Sequence, residues 1–182
     1  MGFDWSEAAG KLHVTTALER LDLLADPVAE SVRGLGDERV GATEIDPELA
    51  DTAAFCEEYG SPLERSANCV VVAGKRSGEV RHAACVVLAT TRADVNGVVK
   101  RRLDVRKASF AAMDEAVSLT GMEYGGITPF GLPGSWPVLI DPRVLDAGVV
   151  VVGSGLRRSK IITPAEVLAG LPTAEIIQDL AR

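Results

Sequence analysis

Two histidines and three cysteines are the whole supply of imidazole and thiol in the 182-residue chain, and neither type is placed for reaction. Cys56, Cys69 and Cys85 stand 13 and 16 positions apart in apolar surroundings. Structural zinc needs closely paired ligands and a disulfide scaffold needs an even count, so these thiols read as buried and reduced. His82 opens an apolar run just after a basic turn, and His13 lies in an acidic segment. With no G-x-S-x-G elbow and no H-E-x-x-H pair, neither a triad hydrolase nor a metal or other cofactor is expected. Gly153-Ser154-Gly155 follows an apolar strand as a dinucleotide turn would, but Arg158 stands at the third glycine position and no βαβ unit surrounds it.

The remaining source of chemistry is the main chain. Residues 120–136, TGMEYGGITPFGLPGSW, hold five glycines and two prolines in seventeen positions, which predicts an irregular loop with positive φ angles or a close approach to another group. Adjacent Gly125 and Gly126 let peptide groups approach a ligand with no side chain between, a way to hold a carbonyl oxygen or orient a water. From composition alone, a purely structural turn is an equal reading.

The elements that must position this loop are legible in outline. The first forty residues read as helical and surface-lying, with Leu12, Leu18, Leu21 and Leu24 as a loose stripe broken at Pro27. Residues 39–45 predict a short strand, and Asp46 with Pro47 predicts the capped start of a helix running to Gly60. Residues 68–73 and 81–90 predict two fully covered strands joined by the five-residue turn GKRSG. Residues 95–103 and 109–119 read as helices, the second ending at Gly121. Strands follow over 137–140, 148–152 and 160–162, with a helical turn over 142–145 and a last helix begun by Thr163, Pro164 and Glu166. Strands and helices do not alternate regularly, so the expected class is α+β: a mixed β-sheet or partly closed barrel with peripheral helices.

At 47% hydrophobic and 25% charged the chain reads as one globular domain, residues 1–182, with an acidic helical N-terminal extension over 1–38 and a core over 39–170. No apolar run approaches the about 18 residues of a membrane span, and no basic-then-apolar leader is seen, so a cytoplasmic protein without membrane association is expected. The net charge of −7 is uneven: residues 1–66 carry five Lys and Arg against fifteen Asp and Glu, and the remainder fourteen against eleven. Basic residues bunch at Lys75–Arg81, Lys100–Lys107 and Arg157–Lys160, where a polyanion finds local positive potential despite the acidic total.

The run Thr120-Gly121-Met122-Glu123-Tyr124-Gly125-Gly126-Ile127-Thr128-Pro129-Phe130-Gly131 resembles the glycine loop of the YbaK family, free-standing relatives of the editing domain inserted in bacterial prolyl-tRNA synthetase. Its neighbours agree in order: an apolar hairpin before it, Pro137–Asp141 after it, then a strand ending in Gly153-Ser154-Gly155. The resemblance implies an aminoacyl-tRNA deacylase acting in trans, with the aminoacylated tRNA 3′ end as partner, no DNA, no cofactor and no metal. It implies that Gly125, Gly126 and Thr128 form the reaction pocket, with Asn68, Ile127, Pro129, Asp141, Ser154 and Gly155 contacting substrate. On its own terms, however, Asp141 before Pro142 also suits a helix cap, and Trp136 suits a core or lid position. One departure stands out: where the family commonly places a lysine opening the first hairpin strand, this chain has Asn68, and Arg65, Lys75 and Arg81 are the neighbouring cations that could replace it. The alternative function is a catalytically inactive member of the same fold that binds tRNA or a small molecule.

Overall fold

Two β-sheets with helices on their outer faces account for residues 2–182, the part of the chain described by the computed structural model. In chain order the strands are β1 (Thr15–Thr16), β2 (Gly41–Glu44), β3 (Ala67–Arg76), β4 (Glu79–Leu88), β5 (Lys107–Phe110), β6 (Val138–Ile140), β7 (Val149–Gly153), β8 (Ser159–Pro164) and β9 (Ala174–Ile176). The helices are α1 (Ser6–Ala9), α2 (Asp26–Leu35), α3 (Thr52–Tyr59), α4 (Lys100–Leu103), α5 (Met113–Thr120), α6 (Pro142–Asp146) and α7 (Ala165–Ala169). One sheet, ordered β1-β2-β8-β7, is antiparallel throughout. The other, β5-β3-β4-β6-β9, is antiparallel up to β4 and parallel from there. The class is α+β with a mixed sheet, as expected, and the sheets do not close into a barrel.

Strand periodicity decides what each face covers, because alternate side chains point to opposite sides. Val150, Val152 and Ile161 of the first sheet meet Val86, Val138 and Ile140 of the second in the central core, joined there by Val28 and Val32 of α2. Val149, Val151 and Ile162 point the other way, toward Ala8 of α1 and Phe55 of α3. On the second sheet, Val72, Ala83, Cys85 and Val87 are covered by Val95, Val99, Leu103 and Leu180. The sheets touch edge to edge where Ser66, just before β3, bridges Val151.

Several elements differ from the expectation. The N-terminal region does not lie on the surface: Leu23, Leu24, Ala25, Val28 and Val32 are all buried, because Pro27 starts α2 rather than ending a helix and the new helix turns its apolar stripe inward. Asp46 does cap, accepting from the Glu48 amide, but it caps a single 3-10 turn, and α3 begins only after a break at Ala50 and Asp51. Residues 107–110 form an edge strand of the second sheet, so the helix expected over 109–119 begins only at Met113. Thr163 lies in β8 and makes no cap to α7. The short final strand β9 had no apolar run to announce it.

The hairpin turn is two residues, not five. Ser77 and Gly78 have φ of 51° and 80°, the pair of positive angles of a type I′ turn, which matches the twist of the strands and lets pairing run to Arg76–Glu79. Serine tolerates this conformation poorly, whereas asparagine is a preferred residue there. Ser77→Asn is therefore expected to stabilise the fold by about 0.5 kcal/mol, read as a raised denaturant midpoint at unchanged m value.

Candidate active site

A cavity of about 360 Å³ opens where the two sheets meet. Its walls come from Asn68–Val71 of β3, Val151–Gly153 of β7, Lys160 of β8, Ala50–Thr52 with Phe55 at the start of α3, and Gly125 and Ile127 of the glycine loop. The size suits a small ligand or the end of a larger one.

The glycine loop reaches this place by main-chain contacts. The Glu123 amide donates to Gly155 O at 2.8 Å, the Gly155 amide returns a bond to Gly126 O at 2.6 Å, and the Gly126 amide closes a turn on Glu123 O at 2.9 Å. The Glu123 carboxylate accepts from the Arg157 amide at 2.8 Å. Gly126 O and Ile127 O sit where a Cβ on Gly153 would project, the latter at 2.7 Å, so the loop lies directly on the strand end with no side chain between. Several of the loop's peptide groups are left over: among the described residues the amides of Tyr124, Thr128 and Phe130 donate to no protein acceptor, and neither do those of Gly125 and Ile127. Gly125 and Ile127 both line the cavity.

Charge in the cavity comes from a residue that the sequence analysis did not select. Lys160 is buried at 8% exposure, and its Nζ donates to Ala50 O at 2.8 Å and lies 5.3 Å from the centre of the Phe55 ring. No carboxylate lies within ion-pair distance of it among the described residues. Burial, with the nearby Arg157 guanidinium adding to it against an opposing pull from Asp51, lowers its ammonium to about 8. The signal was present in the sequence: a single lysine inside the apolar strand SKIITP. Arg157 crosses the rim, its guanidinium lying over Gly125 and reaching Pro47 O at 3.2 Å and Asp51 Oδ1 at 3.5 Å.

Of the residues singled out from the sequence, Asn68, Gly125 and Ile127 line the cavity together. Asn68 is exposed, with its Oδ1 taking the Thr52 hydroxyl at 3.2 Å. Gly126 lies behind the cavity wall; an added Cβ would meet the Leu156 backbone at 2.9 Å rather than face a ligand. Thr128 is fully buried and outside the lining, and its hydroxyl has no partner among the described residues. Pro129 faces a separate shallow hollow beside Pro27 and Leu171. Asp141 caps α6 through the Arg143 amide at 2.8 Å and holds the Ala181 amide at 2.9 Å with its other oxygen. Ser154 bonds to Ser159 and Leu156 inside the turn, and Gly155, at φ 86°, packs under Ala25 and Val28 of the N-terminal region.

The neighbouring cations do not fill the place of Asn68. Arg65 is turned to Ala147 O, Val149 O and Glu7, Arg81 to Leu103 O and Asp104, and Lys75 stands opposite Lys107 on the sheet edge; none lines the cavity. Cys69 does line it, but burial raises its thiol, which keeps it protonated and unsuited to attack. His82 lies elsewhere, 2.8 Å from Glu115 and stacked on buried Trp136.

The profile of the aminoacyl-tRNA editing domain family matches residues 46–171. The chain belongs to that family. Among solved structures, it resembles a candidate trans-editing enzyme for prolyl-tRNA synthetase (19% identity, TM-score 0.72, 85% of this chain and 94% of the other). It also resembles a hypothetical protein designated APE2540 (20% identity, TM-score 0.74, 86% of this chain and all of the other). At these identities the likeness concerns the fold. No curated protein matches the chain in sequence, and no described helix is long and apolar enough to cross a membrane.

Two outcomes test this geometry. Gly153→Ala keeps an allowed backbone but drives a methyl into Gly126 O and Ile127 O, so it is expected to cost about 1–3 kcal/mol and to shift the amide resonances of Gly125 and Ile127. Lys160 has a folded-state value of about 8 against 10.5 when free. Between those values the unfolded chain holds a proton that the folded chain lacks, so stability rises with pH across that window. Below pH 8 the full burial penalty applies, on the order of 3 kcal/mol. Wild-type protein is expected to gain on Lys160→Met from pH 8 to 10.5, and parallel unfolding midpoints would refute the assignment.

Proposed function

We propose that the cavity hydrolyses the ester joining an amino acid to the terminal ribose of a mischarged tRNA. The observation that carries this reading is a pair of amides without a protein acceptor, Gly125 and Ile127, on residues that line the cavity in a loop pinned to the end of β7 by main-chain contacts. Fixed N–H donors facing a cavity suit a carbonyl oxygen that becomes negative, and such donors need no reorganisation during reaction. In the step itself, a water oxygen bonds to the acyl carbon while the carbonyl electron pair moves onto its oxygen. Collapse of the tetrahedral species breaks the bond to the ribose oxygen, which takes up the proton given by the water, releasing the amino acid and a free hydroxyl. The neighbouring ribose hydroxyl of the substrate is placed to relay that proton. An aminoacyl ester is already activated, so positioning and oxyanion stabilisation supply much of the acceleration. A second, hydrolytic sieve is useful because a synthetase pocket separates similar small side chains by only about 1–3 kcal/mol per methylene.

The mouth of the cavity supports the nucleotide part. Phe110 and Tyr124, 61% and 54% exposed, both line it, one at the end of β5 and the other in the glycine loop. Exposed aromatic faces at a pocket mouth suit stacking of a terminal base. Lys75 and Lys107, directly opposite one another across β3 and β5, and Arg106 beside them form no ion pair among the described residues. Like charges facing across strands are unfavourable unless an anion lies between them, and this strip leads along β5 to Phe110.

The uncharged Asn68 favours the second reading, a binding protein without turnover. A panel of mischarged tRNAs separates the two. Release of at least one amino acid is expected, with Phe110→Ala raising KM by roughly tenfold at nearly constant kcat. Binding without release from any of them would establish the second reading instead.

A further inference from the structure

We infer that the Lys160 ammonium is the charged contact for the carbonyl oxygen of the bound ester as that oxygen becomes an oxyanion, acting opposite the glycine-loop amides. The inference rests on the ester-hydrolysis reading and adds a catalytic side chain to it. Three observations carry it. First, Lys160 pairs with Gly153, and directly opposed residues of an antiparallel pair project from the same sheet face. The virtual side-chain direction of Gly153 points at Gly126 O and Ile127 O, so the lysine stem rises from the same face that the glycine loop covers. Second, among the described residues Nζ has one protein acceptor, Ala50 O, and no carboxylate partner, which leaves N–H donors unused in a cavity that Lys160 lines. A buried cation without a counter-ion is unfavourable for the fold and calls for an anion supplied from outside.

Third, depth selects the atom. At 8% exposure, Lys160 sits where the acyl end of a substrate lies, whereas a tRNA phosphate keeps its water at the rim near the 33%-exposed Arg157. Within an aminoacyl ester, the α-ammonium repels a lysine and a neutral carbonyl attracts it weakly. The tetrahedral oxyanion attracts it strongly, so the contact discriminates between ground and transition state.

The test uses two adenosine analogues carrying the side chain of the amino acid that wild-type protein releases fastest. One is a 3′-amide, planar and neutral; the other is a phosphonate monoester, tetrahedral and negative. Lys160→Met is expected to lose about tenfold or more in affinity for the phosphonate while staying within about twofold for the amide, and to lower kcat about a hundredfold with little change in KM. Lys160→Arg, which keeps the charge, retains a preference for the phosphonate. Independently of any variant, the wild-type preference for phosphonate over amide falls as pH rises through 8; the charged or titratable groups facing Lys160 are Asp51, Cys56 and Arg157. Equal loss for both analogues, or an unchanged preference in Lys160→Met and across pH, overturns the assignment. Wild-type turnover on no tRNA overturns the hydrolysis reading on which it rests, a separate result.

Discussion

Main-chain contact at Gly153 is the constraint from which the rest of the site follows. Two peptide carbonyls, of Gly126 and Ile127, rest on the end of β7 at a distance that no Cβ would permit. A loop held by peptide against peptide has few rotameric options, so the orientation of its remaining amides is set by the sheet rather than by side-chain packing. The same turn is clamped from behind, because Gly155 has Ala25 and Val28 pressed against it. The N-terminal region thus reaches the site mechanically: it contributes nothing to the cavity lining, yet α2 and the residue before it back the turn that holds the glycine loop.

Charge is arranged with similar economy. Part of each basic run visible in the sequence is paired internally: Arg76 and Arg81 meet Asp104, Arg102 meets Glu175, and Arg157 meets Asp51. Exposed pairs of this kind contribute little to stability but cancel much of the local potential. Among the described residues, the cations of these runs that form no ion pair and lie at or beside the cavity are the short strip along β5 and the interior Lys160. Affinity for a polyanion in this molecule would therefore come from a few contacts near one end of the ligand, with a correspondingly shallow dependence on salt.

The sequence carried the hairpin, the strand over 148–152, the caps at Asp46 and Asp141, and the glycine loop with its family resemblance, because each rests on local chemistry. Turn geometry, an N-cap oxygen and a cluster of glycines act within a few residues. It failed where a decision is made by distant partners. The first forty residues, with the stripe Leu12, Leu18, Leu21 and Leu24, read as surface-lying because nothing local reveals that Ala25 and Val28 pack over Gly155. Ser109 and Phe110 read as the start of a helix because pairing with β3 is not encoded in so few residues. Among the candidate site residues, Asn68, Gly125 and Ile127 converge on the cavity, while the polar atoms of Asp141 and Ser154 are spent on a helix cap and a turn. Lys160 does not stand apart from the basic run Arg157–Lys160, which reads as a face for a polyanion, although the residues around it in SKIITP are those of a covered strand.

The departures from good local design converge on one place. A lysine interrupts a strand buried on both faces, a glycine ends β7 where a β-branched residue would pair better, and a phenylalanine and a tyrosine stand largely in water at the mouth. Each weakens the fold on its own: desolvated charge, lost strand packing and unburied aromatic area all count against the native state. A hydrogen bond to Ala50 O and the Phe55 ring offset only part of the first. Were these features structural accidents, they would have no reason to share a cavity. Their convergence beside two unengaged amides suits the proposed ester, since the interactions each residue lacks within the protein are those that a ligand developing negative charge would complete.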